Sequence, residues 1–99
     1  MNEDITCQEV KSRIDNSESF HFIDVREEWE FEEKNIGAKL IPLGDLPSRI
    51  SEIEHLKDQE VVVHCKSGGR SGQAKKFLNN QGFNNVRNML GAITAYMEL

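Results

Sequence analysis

The sequence lacks the features that would place it in a membrane or build it around a metal. No apolar run in the 99 residues approaches the ~20 needed to span a bilayer. The start, Met1-Asn2-Glu3-Asp4-Ile5, has neither the basic end nor the apolar stretch of a secretory leader. A cytoplasmic location without a membrane partner is the expectation. Cysteine is scarce, with only Cys7 and Cys65, far apart and in unlike contexts. The absence of a Cys-x-x-Cys pair argues against a zinc site or a dithiol motif, and a reducing compartment argues against a structural disulfide. Positive charge is in the minority, 12 Lys and Arg against 17 Asp and Glu for a formal charge of −5. That balance argues against nucleic acid. Repeats, low-complexity stretches and long linkers are also missing, so residues 1–99 read as one domain.

What is present is an alternation of strand and helix signals. Thr6 and Glu9 stand at the spacing of a capping box and Ile5 and Val10 at that of a hydrophobic staple, which predicts a helix over 7–15. Phe20 to Val25 is an apolar, β-branched run suited to a buried strand. Residues 27–34 favour helix by propensity, and their glutamates read as a solvated face. Lys39 to Ile41 is a short strand stopped by Pro42, after which Leu46, Ile50, Ile53 and Leu56 predict an amphipathic helix from about Pro47. Val61-Val62-Val63 reads as a strand buried on both faces, as in a parallel sheet. A helix over 71–81 ending at Gly82, a strand over 86–89 and a terminal helix over 92–97 complete the chain. Strands alternating with helices predict right-handed crossovers around a small parallel sheet.

The most chemical segment is Val61-Val62-Val63-His64-Cys65-Lys66-Ser67-Gly68-Gly69-Arg70-Ser71. It runs from a strand through a lone cysteine and a glycine-containing loop into a helix. Ligands of open α/β sheets bind beyond the carboxyl ends of the strands, where Cys65 and Asp24-Val25-Arg26 both fall. Amides of residues 66 to 71, the positive end of the following helix, and the charges of Lys66 and Arg70 all favour thiolate over thiol at Cys65. Gly68 and Gly69 are expected to let the loop curl around the sulfur. His64 directly precedes the cysteine, but adjacent strand residues point to opposite faces, so it is expected to support the loop from beneath rather than act as a base. Cys7, in the first turn of a helix, is expected to pack, as are Trp29, Phe31 and Tyr96. No cofactor or metal is called for.

Taken together, Phe22-Ile23-Asp24-Val25-Arg26, Gly37-Ala38 leading to Ile41-Pro42-Leu43, His64 to Ser71, Gln81-Gly82-Phe83 and Leu90-Gly91-Ala92-Ile93 resemble the single-domain rhodanese sulfurtransferases from about Ile5 to Met97. The resemblance implies a rhodanese-like α/β fold, a small five-stranded parallel sheet with helices on both faces. It implies transfer of a sulfane sulfur, from thiosulfate or another persulfide donor, through a persulfide on Cys65. The acceptor it implies is cyanide in a test tube and a thiol or sulfur-carrier protein in a cell. Lys66, Ser67, Gly68, Gly69, Arg70 and Ser71 would form the loop that holds the sulfur. Asp24 and Arg26 would support it as an ion pair at the sheet end. Arg70 either faces the pocket or turns back to fasten the loop.

Rhodanese-fold phosphatases and arsenate reductases resemble one another in placing five residues between cysteine and arginine. This chain places four, Lys66 to Gly69, a smaller cradle suited to one sulfur rather than to a tetrahedral phosphate. The chain departs from the family pattern in three places. Lys34-Asn35-Ile36 stands where many members carry Gly-His-Ile, Ala92 replaces a second glycine, and Tyr96 replaces a tryptophan. A non-catalytic domain that docks a protein partner is the competing reading of another class. Retention of cysteine, glycines and arginine together is the feature that separates the two.

Overall fold

In the computed structural model, which describes residues 3–99, five strands form one parallel sheet. Met1 and Asn2, the start of the segment read above as lacking a leader, lie outside the described residues. The strands are β1 (Ile5–Thr6), β2 (His21–Asp24), β3 (Lys39–Leu40), β4 (Val61–His64) and β5 (Val86–Leu90), in the order β1-β5-β4-β2-β3. The helices are α1 (Cys7–Asp15), α2 (Glu28–Glu33), α3 (Gly69–Asn80) and α4 (Ala92–Tyr96).

Burial follows the pleat. Val61, Val63 and Cys65 join Ile23, Val25, Ala74, Leu78 and Phe83 in the core on one side of the sheet. Val62 joins Ile5, Cys7, Val10, Phe22 and Met89 on the other. Successive β4 residues therefore serve two cores, the reason an uninterrupted valine run is required there. Helix α3 covers the first core through Ala74 and Leu78. Helices α1 and α4 cover the second through Val10 and Ala95.

The strand order fixes where a site can lie. From β2 the chain passes to β3 on one side of the sheet, then returns past β2 to β4 and continues to β5 on the other side. Chain direction across the sheet therefore reverses between β2 and β4, and the crevice beyond their carboxyl ends is the natural binding place. The residues leaving those ends are Asp24-Val25-Arg26 and Cys65.

Several local expectations need correction. Residues expected to form an amphipathic α-helix from Pro47 instead make 3₁₀ turns at Ile50–Glu52 and Glu54–Leu56, after a first at Leu43–Asp45. Ile53 donates to the Ile50 carbonyl and Leu56 to that of Ile53. Ile50, Ile53 and Leu56 recur every third residue, which aligns on one face at three residues per turn and drifts at 3.6. Only half of the capping box forms: Thr6 Oγ1 accepts from Glu9 N at 3.1 Å, while the Glu9 carboxylate binds Arg13 at 3.0 Å instead. The two-residue strand β1, paired with β5 at Ile5–Met89 and Thr6–Leu90, was not visible in the sequence pattern. Trp29, expected to pack, is 63% exposed.

Candidate active site

Helix α3 begins at Gly69, two residues earlier than expected, so the turn after Cys65 is tight. Gly68 makes that tightness possible, with φ +105° in the left-handed region, where a Cβ is strained. Gly69 has no such need: it is the first helical residue and a Cβ there would meet nothing within 4 Å. One glycine, not two, shapes the loop.

The sulfur of Cys65 lies under this turn, with the residue 1% exposed. Gly68 N donates to Sγ at 3.0 Å and Ser71 N at 3.3 Å. The Ser71 hydroxyl lies 3.2 Å away. Burial pushes the Cys65 thiol up, but the Ser71 hydroxyl and the amides of Ser71, Gly68 and Ser67 outweigh it and hold the thiol below the ordinary cysteine value. Amides of Lys66, Gly69 and Arg70, expected to point inward, make no bond to the sulfur.

Arg70 turns back. Its Nη1 and Nη2 donate to Glu30 Oε1 and Oε2 at 2.6 and 2.9 Å, a bidentate clamp between α3 and α2. Glu30, expected on a solvated face with the other glutamates, is 9% exposed and also accepts from Glu27 N at 2.9 Å. Hydrogen bonding to Arg70 outweighs burial, and with the Glu27 amide lowers the Glu30 carboxyl to about 2. Only residue 30 of the glutamate run faces inward, because α2 is a single short helix with one inner face.

Asp24 and Arg26 form the expected ion pair at the sheet end, Arg26 Nη2 to Asp24 Oδ2 at 2.8 Å, and Arg26 Nε donates to both carboxylate oxygens. Arg26 also donates to the carbonyls of Glu30 and Lys34 at 3.4 and 2.7 Å. Both arginines thus hold α2, Arg26 at the carbonyls of its last turn and Arg70 at the Glu30 carboxylate, and Arg70 links it to the Cys65 loop.

His64 points away from Cys65 Sγ, as strand alternation requires. It is fully buried, 4.9 Å from the Phe22 ring centroid. Its Nδ1 lies 3.4 Å from the Cys65 carbonyl, while Nε2 makes no hydrogen bond and stands 3.6 Å from Asp24 Oδ2. Burial lowers the imidazole's pKa despite Asp24 and the Cys65 carbonyl, which favours the neutral ring.

The carboxyl end of the sheet is tied down by contacts that no sequence pattern marks. Ile93 N donates to the Cys65 carbonyl at 3.0 Å, and Thr94 Oγ1 to the Lys66 carbonyl at 2.7 Å. Cys7 Sγ donates to the Leu90 carbonyl at 2.8 Å. Ala92, in place of the family's second glycine, takes φ +55°, a conformation that a side chain disfavours. Beside the loop opens a cleft of about 420 Å³ lined by Arg26, Trp29, Lys66, Ile93, Thr94 and Met97 among others. Among the described residues no group of three or more His, Cys, Asp or Glu is placed to hold a metal, and no helix is long and apolar enough to cross a membrane.

The chain is thus a parallel α/β protein with a buried, hydrogen-bonded cysteine at the topological switch point of its sheet. The family model of the rhodanese-like domain matches residues 6–99, and the chain belongs to that family. It is 35% identical over 94 residues to a sulfurtransferase of Allochromatium vinosum, covering 94% of this chain and 86% of that one. It is 38% identical over 72 residues to the thiosulfate sulfurtransferase PspE of Escherichia coli, covering 72% of this chain and 69% of that one. Against another curated relative the match spans only 46% of the relative's length. The crystal structure of a rhodanese-like domain protein from Staphylococcus aureus superposes with a TM-score of 0.84 at 28% identity, over 97% of this chain and 91% of that one. These relatives support a transferase with a rhodanese-type sulfur-transfer role.

Proposed function

We propose that the protein is a sulfurtransferase that carries sulfane sulfur as a persulfide on Cys65. The observation that carries this reading is the sulfur's setting: Gly68 N and Ser71 N converge on Sγ at 3.0 and 3.3 Å, with the Ser71 oxygen 3.2 Å away. Donors fixed around a buried sulfur stabilise an anion there without offering a competing base.

In the proposed reaction the Cys65 thiolate attacks the outer sulfur of thiosulfate. The new Sγ–S bond forms as the S–S bond of the donor breaks, and sulfite leaves with the electron pair. The persulfide keeps one negative charge. A thiophilic acceptor, cyanide or a thiolate, then attacks the outer sulfur, and the Cys65 thiolate leaves from it. Charge balances at each step. The outer sulfur stands ~2 Å beyond Sγ, so amides of the 66–70 turn unused by Sγ are available to it. Lys66, exposed on the rim of the cleft, would meet an anionic donor such as thiosulfate. Trp29, Ile93 and Met97 in the same cleft would meet the acceptor, a thiol molecule or a sulfur-carrier protein.

The position of Arg70 supports this reading over phosphoryl or arsenate chemistry. Its guanidinium is committed to Glu30, which leaves no bidentate cation over the cysteine for a tetrahedral oxyanion. Thiocyanate formation from thiosulfate and cyanide is the test. Wild-type protein should turn over and Cys65→Ala should not. Turnover by Cys65→Ala, or none by either, would refute the reading; hydrolysis of an aryl phosphate dependent on Cys65 would replace it with the phosphatase.

A further inference from the structure

Ser71 has one hydroxyl hydrogen and three neighbours able to take it. Cys65 Sγ is 3.2 Å from Oγ, the Gly68 carbonyl 3.3 Å and Asn88 Oδ1 2.6 Å. The shortest contact takes the hydrogen, so in this arrangement Ser71 donates to Asn88 and offers the sulfur only lone pairs. That suits a thiol, whose S–H then donates to Ser71 Oγ. It does not suit a thiolate or a persulfide, which has no hydrogen to give and needs one from Ser71.

Asn88 is the group able to resolve this conflict. Its amide carries an acceptor and a donor at nearly interchangeable positions. If it turns over by half a rotation, Nδ2 donates to Ser71 Oγ and the Ser71 hydrogen is released toward the sulfur. The direction of the whole chain then reverses. In one state it runs from Cys65 S–H to Ser71 O–H to Asn88 Oδ1, in the other from Asn88 N–H to Ser71 O–H to sulfur anion. The thiol proton passes to solvent as the anion forms, while the Ser71 hydrogen and the Asn88 amide hydrogens stay on their own atoms. The backbone at Asn88 is held independently, with its N–H donating to Asp4 Oδ1 at 3.0 Å, and Gly72 beside the amide presents no side chain.

We propose that Asn88, on β5, is a positioning residue for Cys65 that acts through Ser71, its amide turning to release the Ser71 hydroxyl to the sulfur anion. This rests on the reading of Cys65 as the nucleophile. It assigns to strand β5 a part in the chemistry beyond the cysteine loop. Charged neighbours on the surrounding elements are the Arg70–Glu30 pair, the Asp4–Lys75 pair behind β5, and Asp24, Arg26 and the neutral His64 at the sheet end. None of them is altered in the variants below.

The test is alkylation of Cys65 by iodoacetamide as a function of pH, read at the Cys65 peptide by mass spectrometry on the full chain. Asn88→Asp, nearly isosteric and able only to accept, keeps the Ser71 hydrogen on its own oxygen and should move the reactive midpoint up by about one pH unit or more. Asn88→Ala frees that hydrogen for the sulfur and should raise the midpoint by less than Asn88→Asp does. In a Ser71→Ala background the shift produced by Asn88→Asp should shrink, since only its charge then acts on the sulfur. An unmoved or lowered midpoint in Asn88→Asp, or its full shift persisting without Ser71, overturns the proposal. Should Asn88→Asp fail to fold, Asn88→Ala decides alone, since a rise of about one pH unit or more there contradicts it. Alkylation needs no sulfur donor, so a failed sulfur-transfer assay and a failed relay remain distinguishable.

Discussion

The molecule holds two cysteines, and both are buried, Cys7 at 3% and Cys65 at 1% exposure. Their sulfurs nevertheless face opposite chemistry. Cys7 meets the carbonyl oxygens of Leu90 and Ala92 at 2.8 and 3.4 Å, so it must remain a thiol in order to donate. Burial pushes it up, outweighing the opposing bond from its own backbone. Cys65 meets two amides, which favour the anion, and a hydroxyl within reach of its sulfur. Burial does not decide whether a thiol is reactive; the polarity of the groups it is buried against does. That polarity follows from position: Cys7 packs its sulfur on the end of β5, Cys65 opens a turn whose amides precede a helix.

The largest expected effect that tests this contrast is on turnover. Cys65→Ala should lower thiocyanate formation by about 10³-fold or more, whereas Cys7→Ala should leave it within about twofold. Equal losses in the two variants would break the contrast. Next in size is the pH dependence of alkylation, with Cys65 reacting below the ordinary cysteine range and Cys7 only above it or on unfolding. A reversal of that order, read by peptide mass spectrometry, would show that the sulfur contacts are misassigned.

The loop that creates the contrast depends on the Glu30–Arg70 clamp, so Glu30→Gln should lower stability by about 1–2 kcal/mol in urea unfolding at pH 7. The Glu30 carboxyl is lower in the folded state, about 2 against an ordinary 4.5. Its contribution is therefore fully present above pH 4.5 and lost as pH falls through about 2, and the gap between wild type and Glu30→Gln should close over that window. A gap independent of pH there would remove the clamp from the account. Cys7→Ala should cost about 1 kcal/mol, the loss of a small buried group and one hydrogen bond. The smallest effect is at Ala92, where glycine relieves the positive φ but gives up a buried methyl. Ala92→Gly should therefore change stability by less than about 1 kcal/mol by thermal melting.

How far this was legible in the sequence depended on the range of the contacts involved. Strand β4, helix α1 and the Cys65 segment are announced by local patterns: a valine run, Thr6 before a helix, and a cysteine between strand and glycine. The Asp24–Arg26 pair is legible because both partners lie two residues apart. Glu30 is not legible, since its partner Arg70 is 40 residues away and its neighbours are exposed glutamates. Asn88, and Thr94 on the Lys66 carbonyl, are hidden for the same reason. The 3₁₀ turns after Pro42 are not legible because a spacing of three fits both helix types over one or two turns. The early start of α3 hides the difference between Gly68, which the turn requires, and Gly69, which it does not.

The most direct measurement of the central claim is site-resolved mass spectrometry of the intact and digested protein after brief exposure to thiosulfate or a persulfide donor, before any acceptor is added. The account predicts the mass of one added sulfur atom, located on the Cys65 peptide, absent from Cys7 and removed by cyanide. Sulfur on Cys7, or an unmodified Cys65 under every donor, would contradict it.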